Sequence, residues 1–228
     1  MDNISAVLKL KSKSPVVQLF IAICGTFVAA FGLFIFNQNL LMSFSLPLRM
    51  ILMIVTQWLL FFAPGILMIV NKENLGDIGF IKEKIPLQIG IGILIAFSMS
   101  LVLTIFPVLL GFKDLVGSTS YTQTWKFIYQ FIYAIFGVAL AEELIFRGYI
   151  FKRLLEINNS TWFAIIISSV LFGLFHIFNG NINQVLMTAM IGVIFCIFRE
   201  KVKGCTLLSL IIAHGVYDAL IILWVSIL

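Results

Sequence analysis

The chain contains two histidines, His176 and His214, and both lie inside apolar stretches, LFGLFHIFNG (171–180) and LIIAHGVYDA (210–219). A third apolar stretch, VALAEELIFRG (138–148), carries Glu142, Glu143 and Arg147. An Asp, Lys or Arg at the centre of a membrane span costs about 2.5–3.5 kcal/mol on insertion scales, so a chain that keeps such groups there has a use for them. Carboxylates, imidazoles and a guanidinium together are the inventory for acid–base or metal chemistry in a membrane-embedded cavity.

Spacing divides the roles. Glu142 and Glu143 are adjacent, so on a helix they point about 100° apart and cannot serve one point equally. Glu143 and Arg147 are four residues apart, share a helix face and suit an ion pair. Such a pair spares both groups an unpaired buried charge, and it leaves Glu142 free to face a cavity as general base or acid. A plainer reading, in which both carboxylates cap or pair near the membrane surface, stays open because Arg147 lies near an expected helix end. Phe172 and His176 share a face at the same spacing, so the ring can pack beside the imidazole; a lone His on an apolar helix is more often a hydrogen-bonded packing residue. His214 and Asp218 repeat the spacing, and Asp218 can fix the tautomer of His214 or help bind a ligand. No one of these pairs is decisive; their coincidence between about 138 and 218 is the signal.

The elements that position these residues follow from composition. Of 228 residues, 61% are hydrophobic and 11% charged, with mean hydropathy +1.13, against roughly 25% charged in a soluble domain. Apolar runs near twenty residues recur at about 16–36, 50–70, 87–110, 127–148, 162–178, 183–198 and 205–227. This is the pattern of an all-α, polytopic transmembrane helical bundle of about seven spans. The runs are continuous rather than alternating, which argues against a transmembrane barrel. The whole of 1–228 is expected to form one integral membrane domain, with N-terminal spans and a loop over 1–86 and the core over 87–228. The first run is too long for a signal-peptide core and no clear cleavage site follows it, so it is read as a span.

Loop charges set an orientation. On the side of the N-terminus lie Lys9, Lys11, Lys13, Lys72, Lys82, Lys84, Arg147, Lys152, Arg153, Arg199, Lys201 and Lys203, twelve in all; the opposite side has Arg49, Lys113 and Lys126. That bias places the N-terminus in the cytoplasm of a cell membrane. The net charge of +5 is spread over short loops and does not argue for nucleic acid. Cys24, Cys196 and Cys205 have no CxxC spacing and read as small core residues. Trp58, Trp125, Trp162 and Trp224 fall mostly toward span ends, as interfacial anchors do. The polar segment KENLGDIGFIKEKIP (72–86), with its glycines and closing Pro86, suggests a structured turn or surface helix. One difficulty stands: Glu142 lies toward the cytoplasmic end of its span and His176 toward the outer end of the next. They can meet only if the fourth span continues, to about Leu155, or tilts steeply.

In order and spacing these residues resemble the CPBP family of intramembrane proteases, which includes the CAAX prenyl proteases and the bacterial bacteriocin-immunity (Abi) proteins. Its EExxxR motif matches Glu142, Glu143 and Arg147; its FxxxH motif matches Phe172 and His176; its HxxxN or HxxxD motif matches His214 and Asp218. The stretch NLGDIGF (74–80) also looks like a segment common ahead of the core, so the resemblance covers about 72–218. It implies a helical bundle with a cavity among the last four spans, where Glu142 and His176 activate a water for peptide hydrolysis. His214 and Asp218 would stabilise the oxyanion, while Glu143 and Arg147 hold the site in shape. Asp218 stands where the prenyl proteases tend to have Asn, and a carboxylate donates to an oxyanion only when protonated. It is therefore also a candidate to orient His214 or to ligate a metal.

The expected function is that of an intramembrane endopeptidase acting on a membrane-anchored protein or peptide in the lipid bilayer, in bacteriocin immunity or peptide maturation. Asn-, Ile-, Lys- and Phe-rich usage hints at an AT-rich bacterial genome. A mechanism without a cofactor is favoured; Zn²⁺ held by Glu142, His176 and His214 is the other branch, although no HExxH spacing is present. The competing readings are a non-catalytic membrane scaffold or immunity protein, and a small proton-coupled carrier using Glu142, His176 and His214 as a relay.

Overall fold

A computed structural model describes residues 14–117, 119, 121–178 and 181–228. Lys9, Lys11 and Lys13, three of the charges behind the expected orientation, lie outside the described residues. Among the described residues seven helices are long and apolar enough to cross a membrane: α1 Pro15–Asn39, α2 Leu46–Asn71, α3 Ile85–Leu109, α4 Thr124–Asn158, α5 Thr161–Phe178, α6 Ile182–Lys201 and α7 Leu207–Ile227. No strand occurs among the described residues. The protein is an all-helical, multi-pass membrane protein.

Local chemistry sets the helix ends. Pro15 opens α1 behind Ser14, whose hydroxyl accepts from the Val17 amide. Ser160 caps α5 by accepting from Phe163, and Asn181 caps α6 by accepting from Gln184. Thr206 and Ser209 form a reciprocal capping box at the start of α7. Each side chain satisfies an amide that the helix itself leaves without a partner. Asn159, at φ 48, turns the chain between α4 and α5, a conformation that Asn tolerates better than most residues.

The segment between α2 and α3 is a structured turn, as its composition suggests. Asn74 and Asp77 cap a 3₁₀ turn over Leu75–Ile78, and Gly79 leaves it at φ 98. Ile78 is buried against α4, where a Cβ on Gly148 would lie 3.1 Å from Ile78 Cδ1. Beside it Glu73 pairs with Lys152 and Arg153, and both of these basic side chains also reach Glu156. This ion-pair knot ties the loop to the last turns of α4.

Helix α7 packs between α3 and α4, and α5 pairs with α6. Two glycines allow the first arrangement. A Cβ on Gly92 of α3 would lie 2.6 Å from the Ser209 carbonyl oxygen, and one on Gly215 of α7 would lie 2.6 Å from Ile135 Cα of α4. The close crossing at Gly215 brings its neighbour His214 against the centre of α4.

Helix α4 resolves the depth difficulty. At 35 residues it is about 50 Å long, well beyond a hydrocarbon core of about 30 Å. It continues past Leu155 to Asn158, so Glu142 sits near its middle rather than near its end. Every residue from Ala141 to Phe151 is buried, because α1, α2, α5, α6 and α7 surround this stretch.

Candidate active site

Helix α4 is not uniformly α-helical. Tyr133–Ala139 and Leu144–Ile150 are π-helical, with the α-helical turn Leu140–Glu143 between them. Such wide turns are rare and are found frequently at functional sites. Here they bracket the two carboxylates.

Glu143 is fully buried and bonded on two sides. Arg147 Nη1 donates to Glu143 Oε1 at 2.9 Å, and His214 Nδ1 lies 2.8 Å from the same oxygen. Arg147 is also fully buried, and its Cζ stands 3.9 Å from the centroid of the Phe172 ring. The carboxylate and the aromatic face both offset the positive charge of the guanidinium.

Glu142 is 4% exposed and makes contacts of a different kind. Its Oε1 is 4.0 Å from His176 Nε2 and its Oε2 is 3.8 Å from His214 Nε2. Both distances exceed a hydrogen bond. A water about 2.8 Å from each partner fits between an oxygen and a nitrogen 4.0 Å apart. The two carboxylates address one imidazole unequally: Glu143 bonds its Nδ1 at 2.8 Å and Glu142 stands 3.8 Å from its Nε2.

The two histidines are oriented by their other nitrogens. His176 Nδ1 lies 2.9 Å from the Phe172 carbonyl oxygen. An acceptor there fixes the proton on Nδ1 and leaves Nε2 directed toward Glu142. The Phe172 and His176 rings meet edge to face at 5.0 Å. Phe172 thus supports Arg147 with its ring and His176 with its carbonyl. For His214 the Nδ1 partner is Glu143, 71 positions earlier. Asp218 sits at the other edge, 3.4 Å from Nε2, with its side chain 33% exposed. All seven residues singled out from the sequence are therefore in one cluster: Glu142, His176, His214 and Asp218 around the gap, with Glu143, Arg147 and Phe172 behind.

Among the described residues no three His, Cys, Asp or Glu side chains converge in a geometry that could hold a metal ion.

Residues 124–220 match the Rce1-like family model, described as type II CAAX prenyl endopeptidase Rce1-like. That segment is similar to the Rce1-like proteins of the CPBP family. No curated protein and no solved structure matches the chain. The Rce1-like segment begins at the first residue of α4 and ends within α7, so it contains the whole cluster and all three motifs. The NLGDIGF stretch at 74–80 lies outside it. The match supports CAAX-type intramembrane protease activity in general terms.

Two residues that the motifs do not include also reach α4. Trp58 donates from Nε1 to the Phe136 carbonyl at 3.0 Å, and Arg199 Nη1 donates to the Arg147 carbonyl. Trp58 lies midway along α2, not at a span end, so it differs in placement from Trp125, Trp162 and Trp224, which sit within the first or last turns of their helices. Arg147 is likewise no loop charge: it belongs to the buried middle of α4, which leaves eleven basic residues against three in the loop comparison.

Proposed function

We propose that the protein is an intramembrane endopeptidase in which Glu142 and His176 activate a water molecule. The observation that carries this reading is the gap between Glu142 and the two Nε2 atoms, 4.0 and 3.8 Å wide, inside a largely buried cluster. Glu142 takes a proton from the water, aided by the lone pair of His176 Nε2. The oxygen adds to the scissile carbonyl carbon and gives a tetrahedral oxyanion. Collapse breaks the C–N bond, and the proton held by Glu142 passes to the leaving amine. His214 faces the same gap. In its doubly protonated form it donates from Nδ1 to Glu143 and presents positive charge at Nε2 toward the oxyanion. Asp218 as a carboxylate accepts from that edge and holds the ring there; it donates nothing unless protonated. No metal enters this sequence of steps.

The proposed substrate is a membrane-anchored protein or peptide. An apolar groove of about 540 Å³ between α2 and the start of α4, lined by Leu46, Pro47, Met50, Ile54, Trp125 and Tyr129, suits an apolar segment of such a molecule. We place the N-terminus in the cytoplasm on the loop charges and the protein in a bacterial cell membrane, in bacteriocin immunity or peptide maturation. The test is cleavage in proteoliposomes against membrane-anchored peptides with and without a lipid group, read by mass spectrometry. The reading expects discrete cleavage that a zinc chelator leaves intact. Loss of cleavage with chelator would overturn the metal-free step. A Glu142→Ala variant that keeps the full cellular phenotype would favour the non-catalytic scaffold.

A further inference from the structure

The two π-turns of α4 each leave a backbone carbonyl behind. In the first, the Leu140 amide bonds to the Ile135 carbonyl and passes over that of Phe136, its α-helical partner. In the second, the Phe151 amide bonds to the carbonyls of Phe146 and Gly148 and passes over that of Arg147. A carbonyl released inside a membrane protein needs another donor. In both places a side chain from a different helix supplies it: Trp58 of α2 for Phe136, and Arg199 of α6 for Arg147.

Both donors are built into their positions. Trp58 opens a 3₁₀ turn, Trp58–Phe61, that breaks the α-helical run of α2. Arg199 lies with its Cζ 5.1 Å from the Phe151 ring centroid. Its Nη2 fills the space beside Gly79, where a Cβ would lie 2.6 Å away. The third π-turn, Leu101–Ile105 in α3, makes the contrast. There the Phe106 amide bonds to Leu101, and among the described residues no side chain donates to the passed-over Val102 carbonyl. That turn carries no ionisable residue.

We propose that Trp58 and Arg199 are positioning residues, each pinning one π-turn so that Glu142 and Glu143 keep their separate directions. A π-turn slides readily along a helix because neighbouring carbonyls can take over its role. A donor fixed on one carbonyl sets its register, and a one-residue slip would swing both carboxylates by roughly 100°.

The experiment uses the full chain with Trp58→Phe, Arg199→Met, Arg199→Lys, the double variant Trp58→Phe/Arg199→Met, and Trp162→Phe as a control on an exposed Trp elsewhere. Two readouts are taken: kcat and KM for peptide cleavage, and amide hydrogen exchange across 136–152. Trp58→Phe keeps an aromatic ring and removes the donor together with part of the bulk of the indole. Each donor-deleting variant is expected to lose about 10-fold in kcat, and the double variant about 100-fold, with KM unchanged. Exchange should rise around 140–141 for Trp58→Phe and around 151–152 for Arg199→Met. Arg199→Lys, which can still donate, should recover most of the loss, and Trp162→Phe should match wild type. Unchanged kcat and unchanged exchange in folded variants would overturn the proposal, as would a loss of kcat that only tracks the loss of folded protein. The kinetic arm rests on the peptidase reading and the exchange arm does not. If wild type cleaves nothing, the peptidase reading fails, and exchange alone decides whether the turns are pinned.

Discussion

Glu142 and Glu143 are consecutive in the chain, yet their surroundings differ throughout. Around Glu143 the partners of Oε1 are in direct contact: Arg147 at 2.9 Å and His214 at 2.8 Å, with the Phe172 ring beneath the guanidinium. Around Glu142 the nearest imidazole nitrogens stand back at 3.8 and 4.0 Å, and the flanking His176 and Asp218 are partly exposed. One side is closed and charge-compensated, and the other is open by the width of a water. The contrast separates holding from reacting. A buried ion pair bonded to a histidine fixes a ring and a helix turn, whereas a carboxylate with room beside it can take and return a proton.

Substitutions that break the closed side should act on folding, and those on the open side on rate. The largest effect is expected for Arg147→Met, which takes the guanidinium from the buried Glu143 carboxylate and leaves it His214 alone. Breaking such a pair costs about 3–5 kcal/mol, visible as a lowered unfolding midpoint in detergent together with lost activity. Next comes His176→Gln, with kcat reduced about 100-fold and an unchanged midpoint. Its contact with α4 is the 4.0 Å gap rather than a bond. Gly215→Ala should follow, at about 1–3 kcal/mol of stability, since its Cβ would press on Ile135 Cα and push His214 away from Glu143. Asp218→Asn should be smallest, below about 10-fold in kcat, because its contact with His214 is long and its side chain one-third exposed. If Asp218→Asn unfolded the protein while Arg147→Met did not, the division between the two sides would be wrong.

Much of this arrangement is legible in the residues themselves. Hydropathy marks all seven spans, and the i,i+4 pairs at 143/147, 172/176 and 214/218 point to the cluster before any coordinates. What escapes such reading has physical reasons. The continuation of α4 to Asn158 is masked because Lys152, Arg153 and Glu156 end the apolar run, although Glu73 neutralises much of that charge in three dimensions. The Glu143–His214 bond joins positions 71 apart, which no local periodicity reveals. The π-turns leave no pattern in residue types, so the reach of both carboxylates to one imidazole is invisible in a helical projection. Trp58 and Arg199 act through a backbone carbonyl, and from the sequence they look like an interfacial anchor and a loop charge.

The most direct test is the turnover of Glu142→Gln in proteoliposomes, with its unfolding midpoint measured alongside. The variant keeps the shape of the side chain and removes the carboxylate proposed as the base. The account predicts a fall in kcat of between about 10² and 10⁴ at an unchanged midpoint. A folded Glu142→Gln protein that cleaves at the wild-type rate would contradict it.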